Sequence, residues 1–242
     1  MAKLYVVGIG PGAVENMTLR AVETIKKCDV IVGYTPYLEY ISEFIEGKEL
    51  FKTGMRGEIE RCKKAIEYTR NGKDTAIIST GDAGLYGMAG PILELAEDID
   101  VEVIPGVTAA FSAASELGSP IMHDYSSISL SDLLTPWDVI TKRAENAAKA
   151  DMVITLYNPR SKGRPEHLNT IIEIISKYAD GSTPVGAVKN SGRANTEIKL
   201  MTLDSIEYEF VDMLTVLIIG NSKTYIKDGK MITPRGYENK WI

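Results

Sequence analysis

The chain has 242 residues, a net charge of −6, 44% hydrophobic and 25% charged residues. Those values fit a soluble globular protein with one large or two small domains, and they exclude a broad nucleic-acid or anionic-membrane footprint. The start, "MAKLYVVGIGPG", carries no signal-peptide pattern, and no apolar run approaches the roughly 18 residues of a membrane span. In chain order, "KLYVVGIG" reads as a strand and "TLRAVETIKKC" as a helix capped by Thr18, with Leu19, Val22 and Ile25 along one face. "DVIVG" is a second strand, and "GEIERCKKAIEYTRNG" a helix closed by Asn71-Gly72. "DTAIIST" and "DVEVIPG" are further strands around a helix over Pro91–Ile99, and "VTAAFSAASELG" is a small-residue helix ending at Gly118. Alternation of strands and helices points to parallel, mostly buried sheet.

Past "SPIMHD" the texture changes. "SSISLSD" alternates in the two-residue rhythm of a half-exposed strand, with Ser127, Ser129 and Ser131 on one side and Ile128 and Leu130 on the other. A helix "WDVITKRAENAAKA", a strand "DMVITLY", a helix "RPEHLNTIIEIISKYA" and strands "TPVGAVKN", "EIKLMTL" and "LTVLIIGNS" follow. "YIKDGKMITP" reads as a hairpin turning at Asp228-Gly229. The expected organisation is therefore α/β, with domains over 1–118 and 124–242 and a ligand in the cleft between them or at strand C-terminal ends.

Cys28 and Cys62 fall on different helices, and His123 and His167 complete a sparse set of soft ligands. No zinc or iron–sulfur spacing is present, so reduced thiols, a cytoplasmic location and no protein-bound metal are expected.

Three loops share one build, a strand running into a small-residue turn and a helix. They are "VVGIGPG", "STGDAGLYGMAGP" and "VIPGVTAAFSAAS". Such loops attract anions through backbone N–H groups, but the middle one carries Asp82 and no lysine. A carboxylate there repels phosphate and accepts hydroxyl or ammonium donors instead. A dinucleotide fingerprint is formally open in Gly8, Gly10, Gly12 and Ala13. Pro11 and the placement of Asp29 before its strand weaken it. S-adenosylmethionine, with ribose hydroxyls and an ammonium but no phosphate, suits the loop set.

These motifs resemble the tetrapyrrole (corrin and porphyrin) methylase family. The opening Gly8-Ile9-Gly10-Pro11-Gly12 followed by Thr18-Leu19, then Gly81-Asp82 with Tyr86-Gly87, then Pro105 to Ala109 match its signatures in order. "STGDAGLYGMAGP", "MHDYSSISLSDLLTPW" and "YNPRSKGR" are most similar to the branch that methylates C17 of precorrin-3B or cobalt-factor III with ring contraction, a step of corrin-ring (cobalamin) biosynthesis.

The resemblance implies two α/β domains of the class III methyltransferase type, S-adenosylmethionine as cofactor with S-adenosylhomocysteine as product, a tetrapyrrole substrate that carries any cobalt, and a homodimer. Carried over position by position, the cofactor contacts it implies are Pro11, Thr80, Gly81, Asp82, Leu85, Thr108, Ala109, Tyr157, Asn158, Asn190 and Ser191. Methyl transfer itself needs orientation rather than a strong acid or base. The ring contraction needs proton transfers, for which His123, Asp124 and Ser129 are the candidates. A substrate fringed with carboxylates asks for basic loops, and Arg160, Lys162, Arg164, Lys189 and Arg193 are the candidate substrate contacts. Competing readings are a C11 or C20 methylase or diphthine synthase of the same family, an NAD-dependent oxidoreductase, and a non-catalytic binding module.

Overall fold

A computed structural model describes residues 2–161 and 163–240. The chain divides into two compact units, Met1–Ala109 with Gly192–Ala194, and Ala110–Ser191 with Asn195–Ile242. The division falls before the small-residue helix, whereas the change of texture in the sequence comes after it.

The first unit is built on β1 (Lys3–Gly8), α1 (Leu19–Lys27), β2 (Val30–Tyr34), α2 (Thr35–Glu39), β3 (Glu49–Thr53), α3 (Glu58–Arg70), β4 (Thr75–Ser79), α4 (Ala89–Leu95) and β5 (Asp100–Ile104). Its sheet has the order β3-β2-β4-β1-β5 with every pair parallel. Alternate residues of β1 serve opposite faces. Tyr5 and Val7 pack with Ala21 and Ile25 of α1, while Leu4 and Val6 pack with Cys62, Ala65 and Ile66 of α3 and Ile92 of α4.

The chain therefore leaves β1 leftward over one face to β2, and leaves β4 rightward over the other to β5. Between the adjacent strands β1 and β4 the winding reverses, which opens a crevice at their C-terminal ends.

Local chemistry explains most element ends. Thr18 Oγ1 accepts from Ala21 N at 3.1 Å and donates to the Pro105 carbonyl at 3.2 Å, so it caps α1 and ties it to the turn after β5. Glu58 and Glu60 in the first turn of α3 and Arg70 in the last match the helix dipole.

Three expectations shift. Leu19 is 81% exposed, and the inward stripe of α1 is Ala21, Thr24 and Ile25. α4 begins at Ala89, ahead of Pro91, because proline is tolerated in a first helical turn. The strand β3 was not foreseen, since "ELFKT" lies at the sheet edge, with Glu49 at its start, Lys52 near its end and no apolar run.

The second unit contains α5 (Ala109–Leu117), which begins at the last residue of the first, then β6 (Gly118–Ser119), β7 (Tyr125–Ser129), α6 (Trp137–Lys149), β8 (Val153–Tyr157), α7 (His167–Ile175), β9 (Pro184–Lys189), β10 (Glu197–Thr202), β11 (Thr215–Ile219), β12 (Tyr225–Lys227) and β13 (Lys230–Ile232). Its main sheet, β10-β9-β11-β8-β7, is mixed: β7 and β8 are parallel, and the remaining pairs antiparallel. β7, β8 and β9 thus end at the same edge. The hairpin β12–β13 turns at Asp228 and Gly229, both at positive φ (50° and 70°), as a two-residue primed turn requires. Among the described residues no helix is long and apolar enough to cross a membrane.

Candidate active site

In the first unit, backbone meets backbone at the crevice between β1 and β4. Ile9 N donates to the Ser79 carbonyl and Gly10 N to the Gly81 carbonyl, both at 2.9 Å, and Val107 N donates to the Gly10 carbonyl at 3.4 Å. The three small-residue loops therefore form one surface. A Cβ on Gly10 would stand 2.1 Å from the Val107 carbonyl oxygen, and one on Gly106 2.3 Å from that of Gly81. Gly8 is equally enclosed, 2.7 Å from Gly106 N. These glycines are needed so that loops can touch one another, a use different from leaving room for a pyrophosphate.

Asp82 is the clasp of the arrangement. One carboxylate oxygen accepts from Gly84 N at 2.8 Å within its own turn, and the other from Gly106 N at 3.1 Å in the turn after β5. Each oxygen keeps a further lone pair for a hydroxyl or ammonium donor. Thr80, Gly81 and Leu85 are half-buried on the same loop, Pro11 is buried in the first, and Thr108 and Ala109 follow the third turn. With no lysine or arginine in any of the three loops and a carboxylate at their centre, the donor set fits a phosphate-free, hydroxyl-bearing cofactor such as S-adenosylmethionine.

The second unit gathers another group at the edge where β7, β8 and β9 end. Ser129 Oγ accepts from Asn158 Nδ2 at 2.9 Å, and Tyr157 Oη accepts from Ala110 N at 2.8 Å, the second residue of α5. Ser191 Oγ donates to Ser112 Oγ at 2.6 Å. Asn158 and Asn190 both adopt positive φ (51° and 53°), conformations asparagine tolerates better than most residues.

The candidates for proton transfer and for substrate contact do not all fall together. His123 and Asp124 precede β7 and Ser129 ends it, so an extended strand holds them roughly 20 Å apart along its axis. No proton relay can join the three. His123 Nδ1 accepts from the Asp124 amide at 2.9 Å, and both line a cavity of about 660 Å³ with Asp151, Asn221, Lys223 and Arg235. That cavity is at the opposite edge of the sheet from Tyr157 and Asn158.

The basic residues are also already engaged, rather than forming one open rim. Arg160 donates to the Tyr208 carbonyl at 2.6 Å and pairs with Glu209 at 3.4 Å. Arg164 lies 3.6 Å from Asp132, and Lys189 lies 3.1 Å from Asp212. Arg193 belongs to the first unit, where its guanidinium covers the Tyr40 ring at 4.6 Å. Lys162 lies outside the described residues. Sequence reading named His167 only among the soft ligands and gave it no place in the site; its ring stacks on Trp137 with centroids 4.0 Å apart, and its Nδ1 is 3.2 Å from the Leu130 carbonyl. It passed over Arg61, only 5% exposed. Nothing in a helical "EIERC" marks its arginine as the buried one.

The match to known proteins is extensive. A family model described as Tetrapyrrole (Corrin/Porphyrin) Methylases covers residues 3–207. The chain belongs to the tetrapyrrole methylases. Within this family, a "Probable cobalt-factor III C(17)-methyltransferase" of Salmonella typhimurium is 50% identical over 97% of this chain and 99% of its own. A "Cobalt-factor III methyltransferase" of Priestia megaterium is 43% identical over 99% of this chain, which spans 46% of that longer relative. The crystal structure of the methyltransferase CobJ superposes with a TM-score of 0.92 at 30% identity, covering 97% of this chain and all of that one. The two α/β units are thus those of a known methylase fold.

Among the described residues no cluster of three His, Cys, Asp or Glu is grouped as a metal would require. Cys28 and Cys62 of this methylase are both buried, against opposite faces of the first sheet. Burial pushes the Cys28 thiol up to about 12 and the Cys62 thiol up to about 11. Because the thiolate is the reactive form, neither should react with a thiol-specific reagent at neutral pH until the protein is denatured. Labelling of the folded protein within minutes would contradict this.

Proposed function

We propose that this tetrapyrrole methylase transfers a methyl group from S-adenosylmethionine to C17 of cobalt-factor III, with ring contraction, in corrin-ring (cobalamin) biosynthesis. The observation that carries the reading is the end-to-end similarity to the Salmonella typhimurium relative of that name. The Asp82-clasped loops support the choice of methyl donor.

When bound, the cofactor supplies an electrophilic methyl on a sulfonium. The chain supplies orientation, which can be worth about 7–11 kcal/mol of barrier. Asp82 joins the turns after β4 and β5, so the loops at the crevice arrive preorganised. Pro11, Thr80, Gly81, Leu85, Thr108 and Ala109 are the cofactor contacts proposed on the first unit. Tyr157, Asn158, Asn190 and Ser191 are those proposed on the second. For the proton transfers of ring contraction, Ser129 is the member of the sequence-derived trio at the same edge as Tyr157 and Asn158, and Asn158 orients its hydroxyl. Of the basic residues, Arg193 shares the first unit with the clasped loops.

Precorrin-3B is the second substrate in view, and cobalt in either case would travel as part of the substrate. A homodimer in the cytoplasm completes the reading. Sedimentation at twice the 26.5 kDa chain mass supports the dimer, and sedimentation at the chain mass counts against it.

The function is tested by incubating the purified protein with S-adenosylmethionine and, separately, cobalt-factor III, precorrin-3B and a diphthamide-precursor protein. The reading expects a one-methyl mass increase and a changed absorption spectrum with cobalt-factor III. Methylation of the protein substrate alone would replace it with a diphthine-synthase reading. Tighter binding of NADH than of S-adenosylmethionine would replace it with an oxidoreductase reading.

A further inference from the structure

Outward from the crevice, the C-terminal edge of the first sheet passes β2 and ends at β3, two strands from β4 and so about 10 Å away. This stretch of edge carries a set of side chains that, Arg193 apart, have no assigned task. Tyr34 and Tyr37 meet edge to face at 4.9 Å, and Arg193 covers Tyr40. The Arg193 side chain in turn lies on Gly12, where a Cβ would come within 2.7 Å of its Cγ. Beyond the tyrosines the loop after β3, Gly54-Met55-Arg56-Gly57, reaches solvent, with Met55 78% exposed. Arg56 sits at φ 66°, an unfavourable conformation for a long side chain.

The loop is held from beneath at considerable cost. Arginine is almost never buried unless fully paired, yet Arg61 is buried under this loop. It donates to Thr53 Oγ1 at 2.5 Å and to the Gly54 carbonyl at 3.3 Å, pairs with Glu58 at 3.4 Å, and faces the Tyr34 ring at 6.0 Å. A Cβ on Gly57 would come within 2.4 Å of Thr53 Oγ1, so the glycine closes the loop against the same hydroxyl. Buried charge, a constrained backbone and half-buried aromatic rings together present one exposed thioether and one exposed guanidinium.

We propose that the Gly54–Gly57 loop recognises the methyl acceptor, Arg56 pairing with a peripheral carboxylate and Met55 covering the apolar edge of the ring, with Arg61 as a positioning residue that holds the loop. The assignment rests on the reading that the acceptor is a carboxylated tetrapyrrole. That chemistry, a flat apolar ring fringed with acids, is what an aromatic ledge ending in a fork-shaped cation suits.

The test uses Arg56→Ala, Arg56→Lys and Met55→Ser, all at exposed positions, in the full chain. Tetrapyrrole binding is read by absorption titration with cobalt-factor III, and S-adenosylmethionine binding by calorimetry. Arg56→Ala should raise the tetrapyrrole Kd and KM about tenfold, as loss of a charged hydrogen-bonded contact does, with S-adenosylmethionine affinity unchanged. Arg56→Lys should recover part of the loss. With the substrate carboxylates converted to methyl esters, wild type and Arg56→Ala should bind alike. Arg61→Met should show the same selective loss through KM, with Tm recorded alongside.

Unchanged tetrapyrrole affinity in both Arg56→Ala and Met55→Ser overturns the proposal, as does equal loss of both ligands. If wild type methylates cobalt-factor III while these variants behave as wild type, the loop assignment alone fails. If wild type does not bind the tetrapyrrole, the functional reading beneath it fails.

Discussion

Asp82→Ala is expected to weaken S-adenosylmethionine binding by about ten- to a hundredfold, the effect of removing one hydrogen bond to a charged acceptor at about 1.5–3 kcal/mol. The carboxylate spans two turns, accepting from Gly84 N in one and Gly106 N in the other. Its removal leaves both amides short of a partner and unties the loop after β4 from the turn after β5. Asp82→Asn retains an acceptor oxygen for one amide but offers an NH₂ to the other, so its loss should be intermediate. Calorimetric titration measures both variants, and an unchanged affinity in Asp82→Ala would remove this side chain from the cofactor site.

The second large effect concerns the fold beneath the site. Gly10→Ala places a methyl 2.1 Å from the Val107 carbonyl oxygen and 2.4 Å from the Gly81 Cα, both backbone atoms that cannot swing aside. Overpacking usually costs about 1–3 kcal/mol, and three loops locked by hydrogen bonds put this case at or above the upper end. A clear fall in Tm is expected, together with loss of cofactor binding. Gly90→Ala is the control. It lies in α4 just before Pro91, and apart from its chain neighbours nothing comes within 4 Å of the added carbon, so it should leave cofactor binding unchanged and Tm close to wild type. Equal Tm values for Gly10→Ala and wild type would show that the loops do not need their close contact.

Residue patterns carry the parts of this molecule where chemistry is local. Thr18 caps α1 as its position before "LRAV" suggests, and Asp228-Gly229 makes the hairpin turn. The three small-residue loops come together because the strands bearing them are neighbours, in the order β4-β1-β5. What stayed hidden is non-local. His123 and Ser129 are close in sequence, but an extended strand carries them to opposite edges of a sheet. Arg160, Arg164 and Lys189 look like a free basic rim until the fold brings Glu209, Asp132 and Asp212 to them. Leu19 matches a helical stripe and faces solvent, because the inward side of α1 takes the smaller Ala21 and Thr24. Arg61 could not be singled out from the other charges of α3 without seeing Thr53 and Gly54 above it.

The central claim, methyl transfer to one carbon of a tetrapyrrole, is tested most directly by turnover of cobalt-factor III with S-adenosylmethionine labelled with ¹³C at the methyl group. NMR of the product should show the label on C17 of a contracted ring. Label on C11 or C20, or no label on the tetrapyrrole, would contradict the account.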